Sequence, residues 1–599
     1  MSAEASSLRN AMEVPGDGPP PVFQALAGRA DLAAYGANAI LLFALELHLR
    51  IEDILAVAAS ALTDGSDDKK CDLVYVDRDL GKAVVAQSYY SQDDTTAAAP
   101  ANKASDLNTA VTWLLGRNLA ALPDRIRPAA QELDEALAEG VITSIDIWYV
   151  HNLPESKNVR DELDRVQDTA SALLRAKYPD VEIDSVTTIE VGRERLDEWY
   201  RSSLVAILVS DEFRLPITGG FKESGDRWEA YSTSVQISWL RDLFNKYKTA
   251  LFSANVRDYL GSRRSDRNIN FNIKETARAQ PRRFWAYNNG LTALVNDYHF
   301  EEDGEVLVIE GISIVNGAQT TGALGSVEIA DAEEFAAGRV PARFVKCSDQ
   351  EVVRDIIRNN NSQNRIEASD YRSGDAIQER LRTEFDLVPD AEYRGGRRGG
   401  ELDLIERTPN LVPSGTAAQS LLAFHQDPNT AYNEKSRIWS EDNIYSKVFS
   451  DKTSARHVVL TYALERAIEE AKRRLLAVSE ADRTQLQVRQ VEFFRQRGSI
   501  LLLVAAIGAS IETYLGRAVP DRFSLRFRDN ISPHVAAELW RPIVESALSF
   551  VERLEPALER TLKNKERVTE AVDIFGSLVS ATRQANAAIF DPFAEAVVN

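Results

Sequence analysis

Residues 72–90 read DLVYVDRDLGKAVVAQSYY, and this stretch predicts a β-hairpin. Its two apolar runs flank a turn-rich segment around Gly81. Apolar residues at helical spacing precede the hairpin over residues 32–62, and strand-like and helix-like segments alternate over residues 141–195. This alternation is typical of an α/β domain, which we place at residues 31–200.

The rest of the chain predicts two further domains and one flexible segment. Because a single core stops growing beyond roughly 250–300 residues, a chain of 599 residues is expected to hold several domains. Residues 1–30 are rich in Gly and Pro and are expected to be flexible, residues 201–416 mix strand and helix patterns, and long apolar-periodic segments over 417–599 predict an all-helical domain. Strands of the central domain are expected near 204–209, 291–296, 306–315 and 342–347.

Composition limits the classes of function. The net charge of −21 argues against a globally basic nucleic-acid scaffold, so any contact with nucleic acid requires a local patch. Cys71 and Cys347 are the only cysteines, which excludes a disulfide framework and a thiolate zinc site. The start of the chain lacks the pattern of a signal peptide, and no run of eighteen apolar residues occurs, so we expect a cytoplasmic protein without a membrane contact.

The hairpin resembles the metal site of restriction-endonuclease-like nucleases. In such sites an Asp on one strand, and a Glu or Gln followed two residues later by Lys on the next, bind Mg²⁺ and the scissile phosphate. Asp72 and Gln87 match the predicted metal ligands, and Glu46 on the preceding helix is a candidate outer carboxylate. Tyr89 stands at the lysine position and carries no positive charge at neutral pH. The alternative is an ordinary hairpin with one buried face.

Three clusters of amides and small hydroxyls form the second candidate site. Asn and Gln side chains both donate and accept hydrogen bonds, which suits a ligand with many polar edges, such as a nucleotide or nucleic acid. In the middle cluster, a strand breaks at an Asn-Gly pair and a helix follows, so free backbone N–H groups could face an anion. The alternative is that these residues only form turns and cap helices. The predicted ligand-binding residues are Asn288, Asn289, Asn316, Gly317, Gln319, Thr320, Asn360, Gln363 and Asn364.

Clustered arginines are candidate contacts for phosphate groups. Several of them lie among glycines in residues 393–400, where the chain could follow a nucleic-acid backbone. The alternative is solvated charge on a loop. The predicted nucleic-acid-binding residues are Arg282, Arg283, Arg394, Arg397 and Arg398.

Taken together, four segments resemble the AIPR family, named for abortive-infection phage resistance. Members of that family often carry an N-terminal restriction-endonuclease-like domain, in which the second strand ends in Gln-Ser-Lys-Tyr. Residues 87–90 read QSYY and are similar except at the lysine. The resemblance implies a multidomain α/β protein with a restriction-endonuclease-like domain, a central mixed α/β AIPR domain and a C-terminal all-α domain. The matching segments are 255–261, 284–292, 314–320 and 358–366.

The resemblance implies a bacterial anti-phage defence protein that recognises nucleic acid, DNA rather than RNA, or a nucleotide. If it cleaves nucleic acid, Asp72 and Gln87 would bind Mg²⁺, with Glu46 nearby. Two alternatives stay open: a non-catalytic sensor or adaptor of a multi-gene defence system, and a nucleotide-binding regulator. Partner proteins from the same defence operon and a homo-oligomer are also expected.

Overall fold

The computed structural model describes residues 21–49, 51–63, 68–93, 96–116, 119–204, 207, 209–247, 251–252, 273–301, 304–325, 327, 329, 331–347, 352, 356, 372, 375–393 and 411–599. These ranges form an α/β part, a second α/β part and a helical part, in chain order. Within the described ranges, no helix is both long and apolar enough to cross a bilayer.

The N-terminal part is built on a four-stranded sheet in the order β1-β2-β3-β4. Strands β1 and β2 form the predicted antiparallel hairpin, and β2, β3 and β4 run parallel. Helices connect the parallel strands, as parallel pairing requires. The elements are α1 Pro21–Gly28, α2 Asn38–Leu49, α3 Ile54–Ala61, β1 Leu73–Asp77, β2 Lys82–Tyr89, α4 Ala101–Val111, α5 Arg127–Ala138, β3 Ser144–His151, α6 Lys157–Lys177, β4 Ser185–Val191 and α7 Arg193–Leu204.

Both faces of this sheet are covered by helices. Val84 and Ala86 of β2 pack into one core with α2, α3 and α7, whereas Ala83 and Val85 pack into another with α4, α5 and α6. A strand buried on both faces reads as a continuous apolar run, and β2 is apolar from Ala83 to Ala86. Strand β1 lies at an edge of the sheet.

The central part is a seven-stranded sheet in the order β5-β10-β8-β11-β7-β6, with β9 also paired to β10. Strands β8 and β11 are parallel, and the other neighbours are antiparallel. The elements are β5 Val209–Pro216, β6 Gly220–Gly225, β7 Trp228–Gln236, α8 Ile237–Tyr247, α9 Phe284–Tyr287, β8 Leu291–Val295, β9 Asp297–Glu301, β10 Val306–Asn316, α10 Ala318–Gly325, α11 Ala332–Ala336 and β11 Arg339–Cys347.

The helical part holds the largest core, which includes the fully buried Trp540, Tyr514 and Phe424. The buried indole Nε1–H of Trp540 donates to Leu460 O at 2.9 Å, which satisfies its polar group. The elements are α12 Ala376–Phe385, β12 Glu392–Tyr393, β13 Leu411–Val412, α13 Ser414–Phe424, α14 Pro428–Asn433, α15 Arg437–Ser440, α16 Asp442–Val448, α17 Ala455–Ala477, α18 Gln485–Arg495, α19 Ser499–Ala509, α20 Ile511–Leu515, β14 Arg526–Phe527, α21 Pro533–Ala547, α22 Lys565–Thr582, α23 Ala587–Ala596 and β15 Val597–Val598.

The N-terminal and helical parts are joined by hydrogen bonds that are buried or partly buried. Glu52 accepts from the backbone N–H groups of Ser414 at 3.0 Å and Gly415 at 3.3 Å. These are N–H groups at the start of α13 that lack a partner within their own helix. Arg497 donates to Val74 O at 3.0 Å and thereby occupies a carbonyl of the edge strand β1. The two parts therefore pack through specific polar contacts.

Two local predictions differ from the structure. A strand was expected near 204–209, but α7 continues to Leu204 and β5 begins only at Val209. Strands β6 and β7 were not predicted. All six positions of β6 are exposed, so its sequence lacks the apolar alternation that marks a half-buried strand. The hairpin, the three other predicted central strands and the helical C-terminal region are confirmed.

Candidate functional site

The hairpin carries Asp72 at the beginning of β1. Its Oδ2 accepts from the backbone N–H of Ser88 at 2.7 Å and lies 3.0 Å from the Ser88 hydroxyl. Leu73 pairs with Ala86 in the antiparallel register, so the preceding residue, Asp72, lies opposite Gln87. The tertiary structure therefore brings the two predicted metal ligands next to each other across the hairpin.

Gln87 is a buried polar residue at the end of β2. Its side chain is 5% exposed, and its Oε1 has no hydrogen-bond partner among the described residues. A buried amide oxygen without a partner costs stability, so such an atom marks a position that another group could satisfy. Gln87 is paired with Tyr149 of the parallel strand β3. It thus lies at the carboxyl ends of the parallel strands, where α/β sheets commonly bind ligands.

Glu46 does not offer a free carboxylate to this position. It lies on α2, is 2% exposed and forms a buried ion pair with Arg29, whose Nη2 also donates to Asp31 at 2.8 Å. A guanidinium that neutralises a buried carboxylate removes the charge that would attract a metal ion. The predicted role of Glu46 as an outer carboxylate therefore requires the Arg29 pair to break.

The described lysines near the hairpin have other partners. Lys82 pairs with Asp146 at 2.7 Å, and both side chains are buried. Lys82 lies at the other end of β2, roughly 16 Å along the strand from Gln87 at about 3.3 Å per residue. Lys70 Nζ lies 3.7 Å from Asp106. Neither lysine takes the place that Tyr89 occupies.

The residues at the hairpin do not fit a complete Mg²⁺ site. In the described part of the chain, no group of three or more His, Cys, Asp and Glu side chains could hold a metal ion. Asp72 and Gln87 supply one carboxylate and one amide oxygen, whereas catalytic Mg²⁺ sites use carboxylates together with substrate phosphates. The predicted catalytic role of Asp72, Gln87 and Glu46 therefore stays a prediction.

In the central part, two of the three amide clusters meet. The antiparallel pairing of β8 and β10 places Asn316, at the end of β10, opposite Thr292, near the start of β8. Asn288, which precedes β8, donates from Nδ2 to the Oγ1 of Thr320 at 3.2 Å. The Oδ1 of Asn288 accepts from the backbone N–H of Gly290 at 3.0 Å. The segments 288–290 and 316–320 therefore form one surface, which we call the amide cluster.

Glycines make this close approach possible. Gly290 and Gly317 have φ values of +89° and +95°, a region that side chains with a Cβ rarely adopt. A Cβ on Gly317 would lie 2.9 Å from the Cβ of Leu291 and 3.0 Å from Gly290 O. A Cβ on Gly290 would lie 2.6 Å from Pro341 O. The Asn-Gly pairs therefore form the turns, which is one of the two roles that the sequence leaves open for them.

Three other side chains of the amide cluster are available to hydrogen-bond with a ligand. Asn289 is exposed, and Asn316 and Gln319 are half-buried. None of these three side chains forms a hydrogen bond with another residue that the structure describes. Together they present several donors and acceptors to solvent beside a turn that is already fixed by Asn288 and Thr320.

Two large aromatic side chains project from the helix that leads into the amide cluster. Trp285 and Tyr287 on α9 are 54% and 63% exposed. Exposed aromatic rings beside hydrogen-bonding amides are the groups that stack on nucleobases and read their edges. Our sequence reasoning assigned no role to these two residues, because exposure cannot be read from an aromatic residue in an apolar segment.

The structure describes two of the five arginines that are predicted to contact nucleic acid. Arg282 donates from Nε to Glu334 at 3.1 Å, and Arg283 donates from Nη1 to Gln280 at 3.2 Å. Both arginines are exposed and lie directly before Phe284. The remaining predicted site residues lie outside the described residues: Asn360, Gln363, Asn364, Arg394, Arg397 and Arg398.

Residues 252–514 match the family model described as AIPR protein. The match covers the amide cluster and the helical part as far as Tyr514, and it supports the resemblance to the AIPR family that the ordered motifs predict. The hairpin and its sheet lie outside the matched range. No curated protein and no solved structure matches the chain.

Proposed function

We propose that this protein acts in abortive-infection defence against phage and recognises nucleobases at the amide cluster of its central part. The similarity to the AIPR family suggests the biological setting. The observation that carries the binding proposal is that Asn289, Asn316 and Gln319 have no side-chain partners among the described residues, while the helix that ends directly before Asn288 exposes Trp285 and Tyr287.

The chemistry of this surface suits a base more than a phosphate. An aromatic ring stacks on any base, at about 1–3 kcal/mol per base, and amides hydrogen-bond to the base edges. Arg282 and Arg283 are close enough in sequence to contact a phosphate attached to the same ligand. The ligand class is therefore a nucleobase that carries phosphate, either as a mononucleotide or within single-stranded nucleic acid, with DNA expected over RNA.

Recognition without cleavage is the role that the N-terminal part supports best. Asp72 is held by Ser88, Glu46 by Arg29, and Tyr89 replaces the lysine of the nuclease motif. We infer that this part is a nuclease-like scaffold in a cytoplasmic sensor or adaptor that acts with partner proteins of a defence system. Mg²⁺-dependent cleavage through Asp72 and Gln87 is the second candidate, favoured by the unsatisfied Oε1 of Gln87.

Binding of labelled single-stranded DNA of about 12 nucleotides, measured by fluorescence anisotropy, tests the proposal. RNA of the same sequence, duplex DNA and mononucleotide competitors identify the ligand. We expect Trp285→Ala to weaken binding about tenfold, and Asn316→Ala and Gln319→Ala to weaken it by a similar factor. The matched control is Phe221→Ala, because Phe221 is 61% exposed on β6 at the edge of the same sheet.

A wild-type protein that binds none of these ligands would disprove the recognition proposal. Equal loss of affinity in Phe221→Ala and Trp285→Ala would also disprove it, because a nonspecific apolar contact would then explain the binding. Stronger competition by one mononucleotide than by the oligonucleotide would identify the protein as a nucleotide-binding regulator.

A further inference from the structure

A large cleft lies between the N-terminal part and the helical part. It encloses about 1590 Å³, more than the 300–1,000 Å³ that is usual for small-molecule pockets. More arginine and lysine side chains than aspartate and glutamate side chains line it, although the whole chain carries a net charge of −21. A locally basic cleft in an acidic protein is the kind of patch that an anionic ligand requires.

Three arginines in this cleft converge on one carboxylate. Arg125 Nη2 lies 2.7 Å, Arg483 Nη1 lies 3.8 Å and Arg495 Nη2 lies 3.9 Å from the same oxygen, Oε1 of Glu480. All four residues line the cleft. We call this group the arginine cluster.

The four residues of the arginine cluster carry three guanidinium groups and one carboxylate. Glu492 is a second carboxylate that acts on Arg495. The side chain of Arg483 is only 6% exposed, and its Nε has no hydrogen-bond partner among the described residues. Burial and the neighbouring Arg125 lower the pKa of Arg495, as expected where like charges are held together. A buried guanidinium N–H without an acceptor costs stability, and an oxygen of a bound anion would satisfy it.

We propose that the arginine cluster is a binding site for the phosphate groups of a di- or oligophosphate-bearing ligand. The planar fork of a guanidinium donates two parallel hydrogen bonds to phosphate oxygens, and three forks around one point match a phosphate better than a single carboxylate. Nucleoside polyphosphates and the backbone of single-stranded nucleic acid both present this chemistry. The proposal does not depend on base recognition at the amide cluster.

A ligand bound at the arginine cluster would contact both the N-terminal part and the helical part. Arg125 precedes α5 in the N-terminal part, whereas Arg483 precedes α18 and Arg495 ends it in the helical part. A phosphate held by all three would connect the two parts. Ligand binding should therefore raise the thermal stability of the protein, because the ligand binds only the folded, docked arrangement.

The competing explanation is purely structural: the arginines dock the two parts through Glu480 and bind no ligand. Glu480→Gln separates the two explanations, because it removes the charge of the carboxylate on which the three arginines converge. A phosphate site then becomes more positive and binds phosphate more tightly. A docking clamp loses its central acceptor charge and gains no affinity for phosphate.

Isothermal titration calorimetry with inorganic pyrophosphate, ATP and single-stranded oligothymidylate tests the proposal on the full-length protein. We expect pyrophosphate to bind the wild type, Arg495→Gln to weaken this binding about tenfold, and Glu480→Gln to strengthen it several-fold. The control is Arg489→Gln on the same helix, since Arg489 is exposed and pairs with Glu552 at 2.6 Å outside the cluster. ATP and oligothymidylate binding distinguish the two sources of phosphate.

Absence of pyrophosphate binding to the wild type, or affinity in Glu480→Gln that is unchanged or weaker, would overturn the proposal. Equal weakening by Arg489→Gln and Arg495→Gln would overturn it as well. Thermal unfolding of each variant without ligand establishes that the variants are folded. If Arg495→Gln fails to fold, the gain in affinity expected for Glu480→Gln still decides the question. Trp285→Ala should leave pyrophosphate affinity unchanged, so failure here is distinguishable from failure of base recognition.

Discussion

The Nδ2 of Asn288 donates to the Oγ1 of Thr320 at 3.2 Å and so joins two turns that lie 32 residues apart in the chain. The Oδ1 of the same side chain fixes the turn of Gly290 by accepting from its backbone N–H. Asn288 therefore organises the amide cluster, whereas its neighbour Asn289 is exposed and faces solvent. Asn288 thus has a structural role, whereas Asn289 is a candidate for ligand recognition.

Asn288→Ala should destabilise the protein, and Asn289→Ala should not. Removing Asn288 leaves Thr320 and the N–H of Gly290 without these hydrogen bonds, which should lower the free energy of unfolding by about 1–2 kcal/mol. Urea denaturation followed by circular dichroism measures the difference. We expect Asn289→Ala to unfold like the wild type but to bind the single-stranded ligand more weakly. A destabilised Asn289→Ala would show that this side chain is structural.

Gly317→Ala should destabilise the protein by roughly 2 kcal/mol more than Gly304→Ala. Both glycines have a positive φ, +95° and +96°, so both substitutions carry a similar conformational cost. Only the Cβ at position 317 would meet Leu291 and Gly290 O, since nothing lies within 4 Å of a Cβ at position 304. Thermal unfolding of the two variants isolates the contribution of the close packing. Equal melting temperatures would mean that the β10 turn relaxes without cost.

Asp72 offers the sharpest test of cleavage. We expect no Mg²⁺-dependent or Mn²⁺-dependent cleavage of plasmid, linear or single-stranded nucleic acid by the wild type or by Asp72→Asn. Asp72→Asn keeps an oxygen acceptor for Ser88, whereas Asp72→Ala loses it and should lower the free energy of unfolding by about 1–2 kcal/mol. Cleavage by the wild type that disappears in Asp72→Asn would contradict the scaffold role and establish a nuclease.

The buried His457 and the half-buried His425, both in the helical part, should make stability depend on pH. The Nε2 atoms of His425 and His457 lie 3.0 Å apart, and His457 Nδ1 lies 2.9 Å from Leu525 O. Because a carbonyl oxygen only accepts, His457 carries its proton on Nδ1 and accepts from His425 through Nε2. Burial lowers the pKa of His425 to about 3 and that of His457 to about 4, from an ordinary value of 6.5.

A lowered histidine pKa favours the neutral form in the folded protein, so the stabilisation is complete above pH 6.5 and is lost as the pH falls toward the folded pKa. The free energy of unfolding should decrease by roughly 2 kcal/mol from His457 alone between about pH 7.5 and about pH 5. The control is His457→Phe, which removes this titration. Urea denaturation at both pH values should show a smaller decrease for this variant, and an equal decrease would rule out the histidine pair as the cause.

The sequence by itself determined the local elements of this protein. Two apolar runs on either side of a turn-rich segment predicted the hairpin of β1 and β2. Asn316 and Gly317 predicted the break after β10, because few residues adopt a positive φ at low cost. The helical C-terminal region followed from apolar periodicity alone. Each of these features depends on residues that are near one another in the chain.

Which side chains meet depends on long-range contacts in the tertiary structure. The sequence predicts Glu46 as an outer carboxylate of the hairpin site, and the packing of α2 pairs it with Arg29. The arginine cluster contains Arg125 and Arg495, which lie 370 residues apart in the chain. No local sequence pattern predicts that these two side chains meet. Exposure of Trp285 likewise depends on what covers α9. Apolar periodicity predicts which face of a helix or strand is buried. Which other element packs against that face depends on long-range packing and charge.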